Sequence, residues 1–321
     1  MPSPRPKKHS LTNRVWGVPF MSEQRLIIPE DLKHLKSLSQ IAVSPDGAYA
    51  AYVRADIDLP NNATLRNIWL APLDGGKPVQ LTRSGKDSNP VWSPDGKHLA
   101  FVSARGGKPQ VYMLSLGFPG GEPRQLTNAA NGATAPMFSP DGAMLAYLSP
   151  MSAAERAGED APSAEKVEQP GDDKRFDPRI VRRIPYRVGT NYVGDRFQQV
   201  YVMLVDETSE AKPRRLTNID EDYQQPRWSP DGRALYVSRA QDPAADEPWR
   251  QGALYKIDVE RGTETQILVE GFTCFAPLPS PDGQWLAFGR SPLELLSMSI
   301  NRLAVMHLES GEIRDLNVTL D

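Results

Sequence analysis

Ser93-Pro94-Asp95-Gly96, followed by His98-Leu99-Ala100-Phe101-Val102, is the stretch whose reading decides the fold of this chain. Serine at the first position of a tight turn can bond forward to the backbone, and proline presets φ at the second. Aspartate suits the third position, and glycine supplies the positive φ that returns the chain to a strand. The apolar and aromatic run behind the turn is strand material. The same turn stands at Ser44-Pro45-Asp46-Gly47, Ser139-Pro140-Asp141-Gly142, Ser229-Pro230-Asp231-Gly232 and Ser280-Pro281-Asp282-Gly283. Asp46, Asp95, Asp141, Asp231 and Asp282, with Gly47, Gly96, Gly142, Gly232 and Gly283, are therefore read as turn-formers rather than as chemistry.

Working outward from Ser93, Pro90-Val91-Trp92-Ser93 reads as a first strand and His98–Val102 as a second. Arg105-Gly106-Gly107-Lys108 turns into a third, Gln110-Val111-Tyr112-Met113-Leu114, and Gly120-Gly121 precedes a fourth ending at Gln125-Leu126-Thr127. Gln80-Leu81-Thr82 and Arg215-Leu216-Thr217 repeat that ending. Four antiparallel strands per unit is the plan of a propeller blade. The motifs start at residues 44, 93, 139, 229 and 280, and a period of roughly 40–50 residues suits blades. The fold expected is all-β: a β-propeller of five four-stranded blades in residues 41–321. Trp92 and Trp228, just ahead of two of the turns, read as packing between blades. A short lead-in at 22–40 carries an amphipathic helix near 30–37, signalled by Pro29-Glu30-Asp31 and by Leu32, Leu35 and Leu38.

The wide interval between the third and fourth turns is read as one blade with an insertion, at about 150–197, between its second and third strands. Its first half, Ala153 to Asp173, is rich in Glu, Asp, Ala and Pro and reads as mobile. Its second half, Arg179 to Arg187, mixes apolar, aromatic and basic residues and reads as ordered. In an up-and-down blade the insertion falls on the rim opposite the Ser-Pro-Asp-Gly turns, beside the interblade links 84–89, 128–134 and 218–223.

The composition excludes several classes. A net charge of −3 gives no field for nucleic acid. No run approaches the roughly 20 apolar residues of a membrane helix. Residues 1–21 read as a disordered basic arm, or as residues ahead of a start at Met21. The single cysteine, Cys274, excludes an internal disulfide and fits a reducing, cytoplasmic setting. No cofactor and no metal are expected; Asp220-Glu221-Asp222 reads first as a solvated acidic loop.

Turns of this kind followed by a Leu-Thr strand resemble the propeller repeats of the prolyl-oligopeptidase family of serine peptidases, and also TolB-like propellers. Arg182-Arg183-Ile184-Pro185-Tyr186-Arg187, then Gly194-Asp195-Arg196 and Gln199-Val200-Tyr201-Val202, are similar to the acylaminoacyl-peptidase branch, as is the Pro29-Glu30-Asp31-Leu32 lead-in. The resemblance implies a seven-bladed propeller that gates peptides ahead of an α/β-hydrolase domain. Here there are five blades and no Gly-x-Ser-x-Gly elbow. Gly289-Arg290-Ser291-Pro292-Leu293 lacks the second glycine, and His9, His34, His98 and His307 offer no triad partner. The chain therefore reads as the front part of a peptidase, truncated or one fragment of a split protein, with no catalytic residue of its own and no activity alone.

Arg182, Arg183, Tyr186 and Arg187 are the candidate substrate-binding residues, because guanidinium pairs bidentately with a peptide carboxylate. The competing reading has them pairing with the acidic loop or holding the insertion down. Expected partners are a peptide substrate in company with a hydrolase domain, and a complementing chain or a second copy. A freestanding TolB-like scaffold for protein partners, and a non-peptidase enzyme using the open rim, stand as alternatives.

Overall fold

Each Ser-Pro-Asp-Gly stretch joins two antiparallel strands through the same set of bonds. At the first, Ser44 Oγ donates to Asp46 Oδ1 at 2.5 Å and accepts from Tyr49 N at 2.9 Å, while Ala48 N donates to the same Asp46 oxygen at 3.0 Å. The other four turns repeat this pattern. The glycines of the five turns sit at φ between 69° and 74°, the left-handed region that an L side chain resists. The serine bond, ahead of the backbone amide, holds all five aspartate carboxyls below their usual range.

The computed structural model describes residues 28, 31, 34–117, 121–160, 187–188, 191–192, 194–205, 212–241, 252–267, 269–293 and 301–316. The first sheet holds β1 (Ser37–Val43), β2 (Tyr49–Asp58), β3 (Ala63–Pro72) and β4 (Val79–Gln80). The second holds β5 (Asp87–Trp92), β6 (His98–Ser103), β7 (Gln110–Ser115) and β8 (Arg124–Gln125). In the third, β9 (Thr134–Phe138) and β10 (Met144–Met151) are followed by helix α1 (Ala153–Asp160) and a small hairpin of β11 (Arg187–Val188) and β12 (Asn191–Tyr192). That sheet resumes with β13 (Phe197–Leu204) and β14 (Arg214–Arg215). The fourth holds β15 (Gln224–Trp228), β16 (Ala234–Ala240), β17 (Gly252–Asp258) and β18 (Glu264–Ile267). The fifth holds β19 (Phe272–Pro279), β20 (Trp285–Pro292), β21 (Arg302–His307) and β22 (Ile313–Asp315). All five are antiparallel meanders, the blades of a β-propeller.

The core lies between the sheets. Four apolar layers join successive blades. Ile68, Leu99 and Phe101 lie between the first and second, and Ala133, Leu145 and Tyr147 between the second and third. Leu235, Val237 and Tyr255 carry the next layer, and Leu254, Leu286 and Phe288 the last. Among the described residues no such layer joins the fifth sheet to the first. Ile41, Val43 and Val79 of the first sheet and Leu278 and Leu303 of the fifth are exposed. The turn rim shows the same break. A Cβ placed on Gly96, Gly142, Gly232 or Gly283 would touch the proline of the preceding turn at 3.5–3.8 Å, whereas one on Gly47 would meet nothing within 4 Å.

Trp92 and Trp228 donate their indole N–H to Ala42 O (2.9 Å) and Met137 O (3.1 Å) of the preceding blade, so these aromatics lock neighbours as well as fill space. Thr82, Thr127 and Thr217 accept through Oγ1 from Ile68, Val111 and Val200 N at 2.9–3.0 Å, which pins each short fourth strand to its third. One repeated feature has no glycine to announce it. Gln40, Asn89, Ala135, Gln225 and Ala276, each four residues before its serine, adopt φ of 50–54° where the first strand bulges. An L residue there carries strain of about 1–2 kcal/mol.

Two expectations need correcting. Asp31 and His34 lie in a 3-10 turn, but strand β1 begins at Ser37 and pairs Leu38 with Arg54, so the expected helix does not reach 37 and Leu38 belongs to the sheet. A ladder of strand bonds outweighs a helix too short to nucleate well. Residues 29–30 and 32–33 of that lead-in, and the basic arm at 1–21, lie outside the described residues. The second correction is α1, ordered over Ala153–Asp160 where the acidic, alanine-rich composition of Ala153 to Asp173 suggests mobility; residues 161–173 lie outside the described residues.

Candidate functional site

Helix α1 starts as it does because Ser152 and Glu155 cap it reciprocally. Ser152 N donates to Glu155 Oε2 at 2.8 Å, and Glu155 N donates to Ser152 Oγ at 3.3 Å. This is a capping box, Ser-x-x-Glu, and it is the sequence signal for a helix that composition alone does not reveal. The helix follows β10 directly, on the rim away from the Ser-Pro-Asp-Gly turns, and docks against the links between the second, third and fourth blades.

Polar contacts hold it there. Arg156, buried, donates from Nε to Asn218 Oδ1 at 2.9 Å and from Nη1 to Met151 O at 3.0 Å, and pairs through Nη2 with Asp220. Glu155 takes Arg196 through both carboxylate oxygens, with Nη2 at 2.7 Å, and accepts from Asn131 Nδ2 at 3.1 Å. Burial works to raise the Glu155 pKa, but the Arg196 and Ser152 bonds outweigh it and bring it to about 2. Arg215 bridges Glu159 at 2.9 Å and Asp160 at 2.6 Å, and the Tyr201 hydroxyl donates to Glu159 Oε2 at 3.0 Å.

The same rim carries a paired arginine on other blades. Arg54 lies 3.8 Å from the Trp69 ring centre and pairs with Asp56; Arg105 stacks on Tyr112 and reaches buried Asp87 at 3.1 Å. Arg239 lies over Tyr255 and pairs with Glu264, which also accepts from Tyr223. Arg290 lies over Phe272 and pairs with Asp315 at 2.8 Å. Each guanidinium is thus both stacked and neutralised, a framework role.

Of the residues expected to bind substrate, Arg182, Arg183 and Tyr186 lie outside the described residues, and Arg187 opens strand β11. The acidic loop finds other partners: Asp220 pairs with Arg156, and Asp222 Oδ1 accepts from Gln198 N at 2.7 Å. No group of metal-ligating side chains occurs among the described residues. Ser291 is buried in β20 and bonded to Asn301, while His307 bonds Ser310 in its own turn, so neither forms a nucleophile–base pair. Burial pushes the Cys274 thiol up to about 12, that of a buried apolar group.

The family model for the TolB beta propeller domain matches residues 39–168. The uncharacterized peptidase YuxL of Bacillus subtilis is 33% identical over 218 residues, 67% of this chain and 31% of that protein. Dipeptidyl-peptidase 5 of Porphyromonas gingivalis is 28% identical over 303 residues, 92% of this chain and 43% of its own length. In fold, acylaminoacyl peptidase of Pyrococcus horikoshii superposes with a TM-score of 0.62 at 16% identity, covering 90% of this chain and 40% of that one. The chain is thus similar in sequence to a portion of two peptidases and shares the fold of a portion of a third. The chain spans less than half the length of these two curated relatives. Among the described residues, no helix is long and apolar enough to cross a membrane.

Proposed function

We propose that this chain, similar to the N-terminal propeller portion of prolyl-oligopeptidase-family serine peptidases of the acylaminoacyl-peptidase branch, admits and positions peptides for a hydrolase portion. The observation that carries this reading is the likeness to dipeptidyl-peptidase 5, which runs across 92% of the chain rather than across the repeats alone. In this role the propeller supplies walls and a rim, and the acyl transfer belongs to a Ser-His-Asp set that these 321 residues do not contain. The outward faces of the first and fifth sheets then meet further blades, a complementing chain or a second copy, since sheet faces built to be buried associate. The setting proposed is the cytoplasm. Within the insertion, Arg182, Arg183, Tyr186 and Arg187 are proposed to meet the peptide. A TolB-like scaffold is the second reading, favoured by the family model at residues 39–168.

The test combines two measurements. The purified chain is assayed on acyl-peptide and dipeptidyl chromogenic substrates, and the genomic sequence beyond codon 321 is read. No turnover and no fluorophosphonate labelling are expected from the chain, with a Gly-x-Ser-x-Gly and a later histidine encoded downstream. Robust turnover by these residues alone, or the lack of any such downstream frame, would overturn the proposal.

A further inference from the structure

Helix α1 buries one side chain, and it is a cation, Arg156. Ala153, Ala154 and Ala157 are exposed, so no apolar face holds the helix to the sheets. Eight residues are too few for a helix to persist unaided. What holds α1 is charge: Glu155 on Arg196, Glu159 and Asp160 on Arg215, and Arg156 on Asn218 and Asp220. Ion pairs with one member in water contribute little each and are screened by salt.

Beneath α1 one partner is held independently of the helix. Arg215 is held from below, where Nη1 donates to Thr217 O at 2.6 Å, and its side chain is 7% exposed. Arg196 offers Glu155 the two-pronged fork that suits any carboxylate. The Tyr201 hydroxyl adds a neutral donor to Glu159. Three donors therefore converge on acid groups of a segment held by polar contacts alone.

We propose that α1 is an exchangeable internal ligand: its carboxylates occupy a carboxylate-binding site of Arg196, Arg215 and Tyr201, and the side chains of an acidic peptide replace them when the helix lifts. The site uses none of the expected substrate arginines, and its tests involve no hydrolysis, so it stands or falls apart from the peptidase reading.

Hydrogen exchange on the whole chain in about 50 mM and about 500 mM salt tests the latch. Amides of residues 153–160 should exchange about tenfold faster at the higher salt, with the five sheets unchanged. A fluorescent tri-glutamate peptide tests the site. The triple variant Glu155→Gln, Glu159→Gln, Asp160→Asn should bind it about tenfold more tightly than the natural chain, and adding Arg215→Gln should remove the gain. Circular dichroism confirms that each variant keeps its sheets. Salt-independent exchange at 153–160, or equal peptide binding by the triple variant and the natural chain, overturns the proposal.

Discussion

On one rim Ser44, Ser93, Ser139, Ser229 and Ser280 each close a turn within five residues of chain, by the same three bonds. On the other rim Arg156 reaches 62 and 64 residues along the chain to Asn218 and Asp220, and Arg215 reaches back 56 to Glu159. The turn rim is local, and four of its five turns are backed by the proline of the preceding blade. The insertion rim is long-range and ionic. A turn rim made this way forms whenever its strands form; an ionic rim depends on its partners, on salt and on pH.

Removing what both rims stand on should have the largest effect. Phe101 is wholly buried between the first two blades and stacks 6.0 Å from Tyr112. Phe101→Ala should cost about 3–5 kcal/mol in urea unfolding. A loss under about 1 kcal/mol would mean that the blades do not share a packed layer there. Next comes the turn rim. Gly96→Val places a β-branched residue at φ 70° without a clash, since Pro45 would lie 3.7 Å away. It should cost about 1–2 kcal/mol through strain, and Gly96→Asn, which tolerates that region, should recover part of it. If valine were neutral, the repeated glycines would be incidental to the rim.

The smallest effect belongs to the ionic rim. Glu155→Gln should cost no more than about 1 kcal/mol at neutral pH. The depressed pKa alone would allow more, but Arg196 is 46% exposed and solvent competes for it. The sign follows from a folded value of about 2 against an ordinary 4.5. The Glu155 contribution is complete above about pH 4.5 and is lost as pH falls through about 2. The difference between wild type and Glu155→Gln should therefore close across that window. A difference that persists at about pH 2 would assign the stabilisation to packing instead of charge.

The contrast between the rims also explains what can be read in the chain. The five turns, their strands and the blade-to-blade tryptophans are announced by neighbours in sequence, because serine, proline, aspartate and glycine each act on the next few residues. Composition misleads at Ala153–Asp160, where the capping box of Ser152 and Glu155 is local but its docking partners, Asn131, Arg196, Arg215 and Asn218, are distant. The left-handed residues Gln40, Asn89, Ala135, Gln225 and Ala276 are illegible for another reason: no glycine marks them, and tertiary pairing imposes the bulge. Leu38 reads as helical because a leucine at helical spacing looks the same at a strand's start until its partner, Arg54, is known.

The absence of a layer between the fifth sheet and the first, among the described residues, has a thermodynamic corollary. A row of sheets that touch only their sequence neighbours behaves as a one-dimensional lattice, with each unit stabilised by the interfaces on either side. The third sheet has two such interfaces, the first and fifth one each. Amide protection should therefore be graded, deepest around β10 and β13 and shallowest at β1 and β22, and unfolding should travel inward from both ends like a row losing its outermost members first.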